Sequence, residues 1–192
     1  NNALNSLKYF CEEMSELHVA AAGSLIGLKL SKPRSFPVGK VKLVDVFPMT
    51  FLEFLDAVGE ARLRAMIESL PSLDSIPELF HARLTDLLKV YYVVGGMPEA
   101  LDTYVRERAL ERVRSVQRNI LNTYALDFAK HAPKEDVPRL GIIWDSVPTY
   151  LAKENKKFVF SALAKGARAR EYEAALQWLA AAILIHRSYA IE

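Results

Sequence analysis

The residue types that most often carry chemistry are thinly spread along this chain. Four histidines, His18, His81, His131 and His186, lie too far apart to share a metal by any ligand spacing. Cys11 is the only cysteine, which excludes an internal disulfide and a zinc site built on cysteine pairs. Ser24 has no histidine placed to activate it as a nucleophile. No G-x-x-x-x-G-K-S/T run is present to cradle phosphates, and no acidic strand end offers the usual magnesium ligand. Taken alone, the chain does not hold a complete catalytic constellation.

Two features remain as candidates for binding. "YYVVGGMPEA", residues 91–100, interrupts a long helical pattern with Gly95, Gly96 and Pro98. Glycine permits positive φ and proline suits the first helical position, so the local reading is a corner between two helices. The second feature is basic. "VRERALERVRSVQRN" sets Arg108, Arg112 and Arg118 among Glu107 and Glu111, the pattern of an exposed helix laced with i,i+4 ion pairs. Arg168 and Arg170 open a later helix and are placed to meet phosphates of DNA. Glu171 and Glu173 follow them at once, and "AALQWLAAA" offers methyls more than base-reading groups.

The elements that must position these residues follow from length and patterning. With 192 residues, 51% hydrophobic and 25% charged, the chain has the composition of a soluble globular protein able to bury a core. Residues 1–100 carry 10 Lys+Arg against 12 Asp+Glu, and residues 101–192 carry 15 against 11. Nucleic-acid binding would therefore be sought in the second half. The single cysteine suits a reducing cytoplasm. The longest apolar run, "LQWLAAAILI", is half of what a membrane span requires, and charged residues interrupt the start where a signal peptide would lie. The chain starts at Asn1 inside a helical pattern and stops at "YAIE", so a fragment of something longer is expected.

Leu4, Leu7 and Cys11 recur at helical spacing and predict a first helix over 2–14. "LHVAAAG" and "VKLVDVFPM" read as two strands of an α/β layer, with "SKPRSFPVGK" as a proline-rich basic loop between them. Two strands do not make a sheet, so further strands are expected upstream of Asn1. Thr50 caps the helix "FLEFLDAVG", with Glu53 completing a capping box. Helices are then expected near 60–70, 76–94, 98–106, 109–131 and 136–153, the last kinked or split by Pro148. "NKKFVFSALAKGA" and "REYEAALQWLAAA" read as two more helices, and "ILIHRSYAI" as a strand. Helix, turn, helix and strand is the order of a winged helix-turn-helix.

The stretches "NALNSLKYFCEE", "AAGSLIG", "FPVGKVKLVDVFPMTFLEFL", "YYVVGGMPEAL", "DFAKHAP" and "IWDSVPTYLAKENKKFVFSALAKGARAREYEAALQWL" carry a resemblance. In this order and spacing they resemble bacterial and archaeal AAA-type ATPases with an extra C-terminal region of unknown function, a group close to the STAND signalling ATPases. The resemblance covers essentially the whole chain and is most specific from Asp127 to Leu179. It implies a P-loop and a magnesium-binding acidic strand upstream of Asn1. It implies that Ser24, at the tip of the strand over 18–23, senses the γ-phosphate, where the alternative is a plain turn cap. Related ATPases often bring a Gly-Arg pair after this sensor; here the pair is Gly39-Lys40, and lysine lacks the planar fork that spans phosphate oxygens. Arg34 is a rival for that role. The resemblance further implies that Gly96-Met97-Pro98 is the G-x-P motif of the helical domain, pressed against adenine. "WDSVPTYLAKENKKF" supplies an apolar anchor, Trp144, and a cluster of Lys153, Lys156 and Lys157, with a structural role as the default.

The expected fold is thus mainly α with a small α/β portion. Residues 1–58 would form the C-terminal part of a P-loop ATPase domain, 59–106 a helical lid, and 107–192 a helical and winged-helix-like domain. The expected cofactors are ATP and Mg2+, held mainly by residues upstream. The expected partners are DNA or a protein and a second copy of the chain, with no membrane. ATP binding or hydrolysis would drive a conformational switch, and this chain alone should not hydrolyse ATP. The rival reading is a helical DNA-binding or protein-interaction module with no nucleotide chemistry.

Overall fold

Thr50 opens the most tightly specified turn of the chain. In the computed structural model, which describes residues 2–23, 39–71, 75–155, 157–163 and 168–189, the Thr50 N–H donates to the Glu53 carboxylate at 2.7 Å. The Glu53 N–H returns a bond to the Thr50 hydroxyl at 3.3 Å, completing the capping box. That backbone donor, then the Thr50 hydroxyl, holds the Glu53 pKa below the ordinary carboxylate value.

The described residues are helical wherever they are regular, and no strand occurs among them. Helix α1 spans Asn2–Glu13, α2 Phe51–Ala57, α3 Ala61–Ser69, α4 Glu78–Val94 and α5 Pro98–Glu107. Then come α6 over Leu110–His131, α7 over Val137–Ala152, a 3-10 turn over Phe160–Ala162, and α8 over Ala169–Ala181. The chain divides into two compact units, Asp45–Tyr124 and Asn1–Val44 with Ala125–Glu192, and α6 contributes residues to both.

The Asp45–Tyr124 unit is built on α2. Its "FLEFL" run turns Phe54 and Leu55 inward, both fully buried, and α3, α4 and α5 pack around it. Leu63, Leu84, Leu87, Val94, Ala100, Leu101 and Val113 complete the core, at the three- and four-residue spacings that put side chains on one helix face. Phe51, Phe54 and Tyr91 cluster at centroid distances of 5.4–6.1 Å, the two phenylalanines stacked and Tyr91 edge-on to Phe54. The α2 C-terminus closes as a Schellman motif: Gly59, at φ 89°, donates to Asp56 O, and Glu60 donates to Leu55 O.

In the other unit α7 packs on α8, with Leu140, Ile143, Ala175 and Leu179 fully buried. Phe128, from the end of α6, stands edge-on to Trp144 at 5.5 Å and to Trp178 at 5.7 Å. The end of α8 repeats the Schellman pattern, since Ile183 donates to Ala180 O and Leu184 to Leu179 O. Here the left-handed position, φ 59°, is occupied by β-branched Ile183, for which that conformation is strained. Ile183→Gly is therefore expected to stabilise this unit by about 1 kcal/mol, the relief of left-handed strain exceeding the glycine entropy cost. Thermal denaturation followed by tryptophan fluorescence checks this, and a midpoint at or below wild type would refute it.

Several sequence expectations are corrected. The stretches 18–23 and 41–49 are irregular, not strands, and 183–189 is likewise irregular, so a winged-helix strand is not formed among the described residues. A strand requires a hydrogen-bonded neighbour. Among the described residues these apolar runs have none, and the run over 41–49 stands open: Val44 is 71% and Val46 93% exposed. Pro148 does not split its helix, which runs unbroken through it. The helix expected over "NKKFVFSALAKGA" is reduced to the 3-10 turn, part of that run lying outside the described residues. There the Asn155 side chain takes the Lys157 N–H, competing with helix formation. Tyr150 then donates to Val159 O at 2.6 Å, and the Phe158 ring packs on Tyr150.

Candidate functional site

The corner between α4 and α5 is built from two glycines with different duties. Gly95 closes α4, its N–H donating to Tyr91 O at 2.7 Å, at φ 74° and ψ −176°. That backbone region is essentially reserved for glycine. Gly96 serves close approach instead. Its carbonyl accepts the Met49 N–H at 2.7 Å, and a Cβ placed on it would lie 2.8 Å from Met49 N and closer still to Met49 O. Met97 then packs against the core, and Pro98 starts α5 at the position where its missing N–H costs nothing.

Two side chains outside the corner hold it. The Tyr91 hydroxyl donates to Met49 O at 2.8 Å, tying α4 to the segment that precedes α2. Gln117, on α6, donates to Val93 O at 2.8 Å and Val94 O at 3.0 Å. Those two carbonyls are among the last of α4 and lack helical partners, so Gln117 acts as a cap delivered from another helix. The corner thus has a covered side, against Met49, and an open one: Pro98 is exposed and nothing lies within 4 Å of a Cβ on Gly95. Such an open flank can receive a flat apolar ring, since glycine permits close approach. The holding residues Met49, Tyr91 and Gln117 were not singled out from the sequence, and only the doubled glycine hinted that something approaches Gly96 closely.

The remaining sequence candidates are dispersed. Ser24 and Arg34 lie outside the described residues. Gly39 turns at φ 78°, and Lys40 pairs with Glu12 at 3.6 Å with its side chain still 45% exposed. Arg168 and Arg170 are exposed at the start of α8, where the Arg168 N–H donates to Glu171 at 3.3 Å and Glu173 pairs with Arg187. Lys40 belongs to the unit containing Asn1–Val44, and Gly96, Met97 and Pro98 to the other. Among the described residues, no three His, Cys, Asp or Glu side chains converge as metal ligands, and no helix is long and apolar enough to cross a membrane.

Residues 85–192 match a family described as a domain of unknown function (DUF8612). The match takes in the Gly96-Met97-Pro98 corner, all of α6 and the start of α8, and leaves Ser24 and Lys40 outside it. No curated protein matches the chain, and no solved structure does.

Proposed function

The chain belongs to the family described as a domain of unknown function (DUF8612), and we propose that it is part of a cytoplasmic, AAA/STAND-type ATP-binding protein that forms homo-oligomers. In this reading the Gly96-Met97-Pro98 corner lies against adenine, and nucleotide binding or hydrolysis switches the helical part. The P-loop and magnesium ligands come from residues outside these 192, and Ser24 and Lys40 contribute to sensing the phosphates.

One observation carries the reading. The segment 41–49 has the composition of a buried sheet strand yet stands exposed, and it ends hydrogen-bonded to the corner at Gly96. A sheet completed by other residues would cover that segment, and any change at the sheet would reach the corner through the Met49–Gly96 bond. The open flank formed by Gly95 and Pro98 suits an adenine ring.

The test is a titration of a fluorescent ATP analogue with magnesium into this chain and into a version extended upstream to include a P-loop. Binding by the longer chain, weakened by Pro98→Ala with folding intact, supports the reading. No binding by the longer chain overturns it, and undiminished binding by Pro98→Ala removes the corner from the site.

A further inference from the structure

The outer face of α6 does not carry the ion-pair lacing its sequence suggests. Arg112 reaches Glu107 at 3.2 Å, Arg106 is held by Asp102 at 2.9 Å, and Arg108 lies over the Tyr104 ring at 5.0 Å. Arg114 and Arg118 behave differently. Both are exposed, one turn apart on the same face, and neither has a carboxylate within 4.0 Å among the described residues. They border an open concavity of about 400 Å³ together with Leu110, Glu111 and Ser115. Asn122, also exposed, continues the same face one turn on.

We propose that this face of α6 binds the phosphodiester backbone of nucleic acid, with Arg114 and Arg118 each meeting a phosphate and Ser115 and Asn122 adding neutral donors. The proposal is independent of the ATP reading and of the corner. Residues four apart on a helix rise about 6 Å along its axis, against about 3.4 Å per nucleotide along each strand of duplex DNA. Two flexible arginines at that spacing therefore reach different phosphates. The face offers no aromatic ring for stacking on bases, and its apolar groups are Leu110 and Leu121, each 49% exposed, so recognition rests on the backbone and is insensitive to sequence. Glu111 at the rim opposes the phosphates and limits the affinity. An acidic protein segment is the competing occupant; two arginines one turn apart, flanked by the neutral donors Ser115 and Asn122, favour a phosphate chain.

Fluorescence anisotropy with a labelled 20-base-pair duplex, read between 50 and 200 mM salt, tests this. Losing two phosphate contacts should reduce the slope of log K against log salt by about 1.8, so that the wild-type advantage over Arg114→Gln/Arg118→Gln shrinks about tenfold across that range. Glu111→Gln should tighten binding, and Arg106→Gln, whose guanidinium is already engaged by Asp102, should leave it unchanged. Glutamine is a good helix former, and circular dichroism verifies that the variants fold. The proposal is overturned if the wild-type chain does not bind at 50 mM salt. It is equally overturned if the double variant binds as well as wild type, if Arg168→Gln/Arg170→Gln abolishes binding in its place, or if poly-glutamate competes as effectively as unlabelled DNA.

Discussion

Gly96→Ala lowers the stability of the Asp45–Tyr124 unit by about 3 kcal/mol, a drop of about 15 °C in its melting midpoint. The reason is steric and local. A methyl at Gly96 would meet the backbone of Met49, not the end of a side chain that can swing away. Relief requires separating the two segments, which breaks the Met49–Gly96 hydrogen bond and pulls Met49 O from the Tyr91 hydroxyl. Gly95→Ala supplies an instructive comparison, because space is open there and the whole cost, about 1–3 kcal/mol, is backbone strain at positive φ. Pro98→Ala, exposed at the first position of α5, should change stability by about 0.5 kcal/mol or less. Urea denaturation followed by circular dichroism ranks the three. A Gly96→Ala midpoint indistinguishable from wild type would mean that Met49 is not seated on the corner.

Phe128→Ala destabilises the other unit by about 3–5 kcal/mol. Phe128 is 3% exposed and its ring meets both Trp144 and Trp178 edge-on, so one side chain joins the end of α6 to α7 and α8. Truncation removes a buried ring and leaves a cavity that two rigid indoles cannot collapse to fill. Because these are the only two tryptophans, intrinsic fluorescence reads the site directly. The emission should shift to longer wavelength as water reaches the indoles, and the thermal transition should fall with it. Phe128→Leu, which retains most of the volume, should recover a large part of the loss. Unchanged emission together with an unchanged midpoint would remove Phe128 from this core.

Much of the helical framework was legible before folding because its signals are local. The helix expected near 98–106 spans Pro98–Glu107, and that expected near 136–153 spans Val137–Ala152. The Thr50–Glu53 capping box forms as its spacing implies, since both partners lie within one turn. The strands were misjudged for the complementary reason. An apolar run such as "VKLVDVF" reports a preference for burial, but a strand exists only through hydrogen bonds to a neighbour, and the run itself does not contain one. The basic face of α6 was likewise misjudged at Arg118, because nominal charge spacing does not say which rotamers close an ion pair.

By itself, the sequence determined the bounds of several helices, that glycine and proline make the corner at 95–98, and that the chain contains no P-loop motif and no cysteine pair to build a zinc site on. Each of these depends on residues a few positions apart. Tertiary structure alone decided that Gly96 receives Met49, that Gln117 caps a helix ending 23 residues earlier, and that Phe128 is seated between two tryptophans. Such contacts are chosen by the packing of whole helix faces, where shape and burial decide among many partners of equal local propensity.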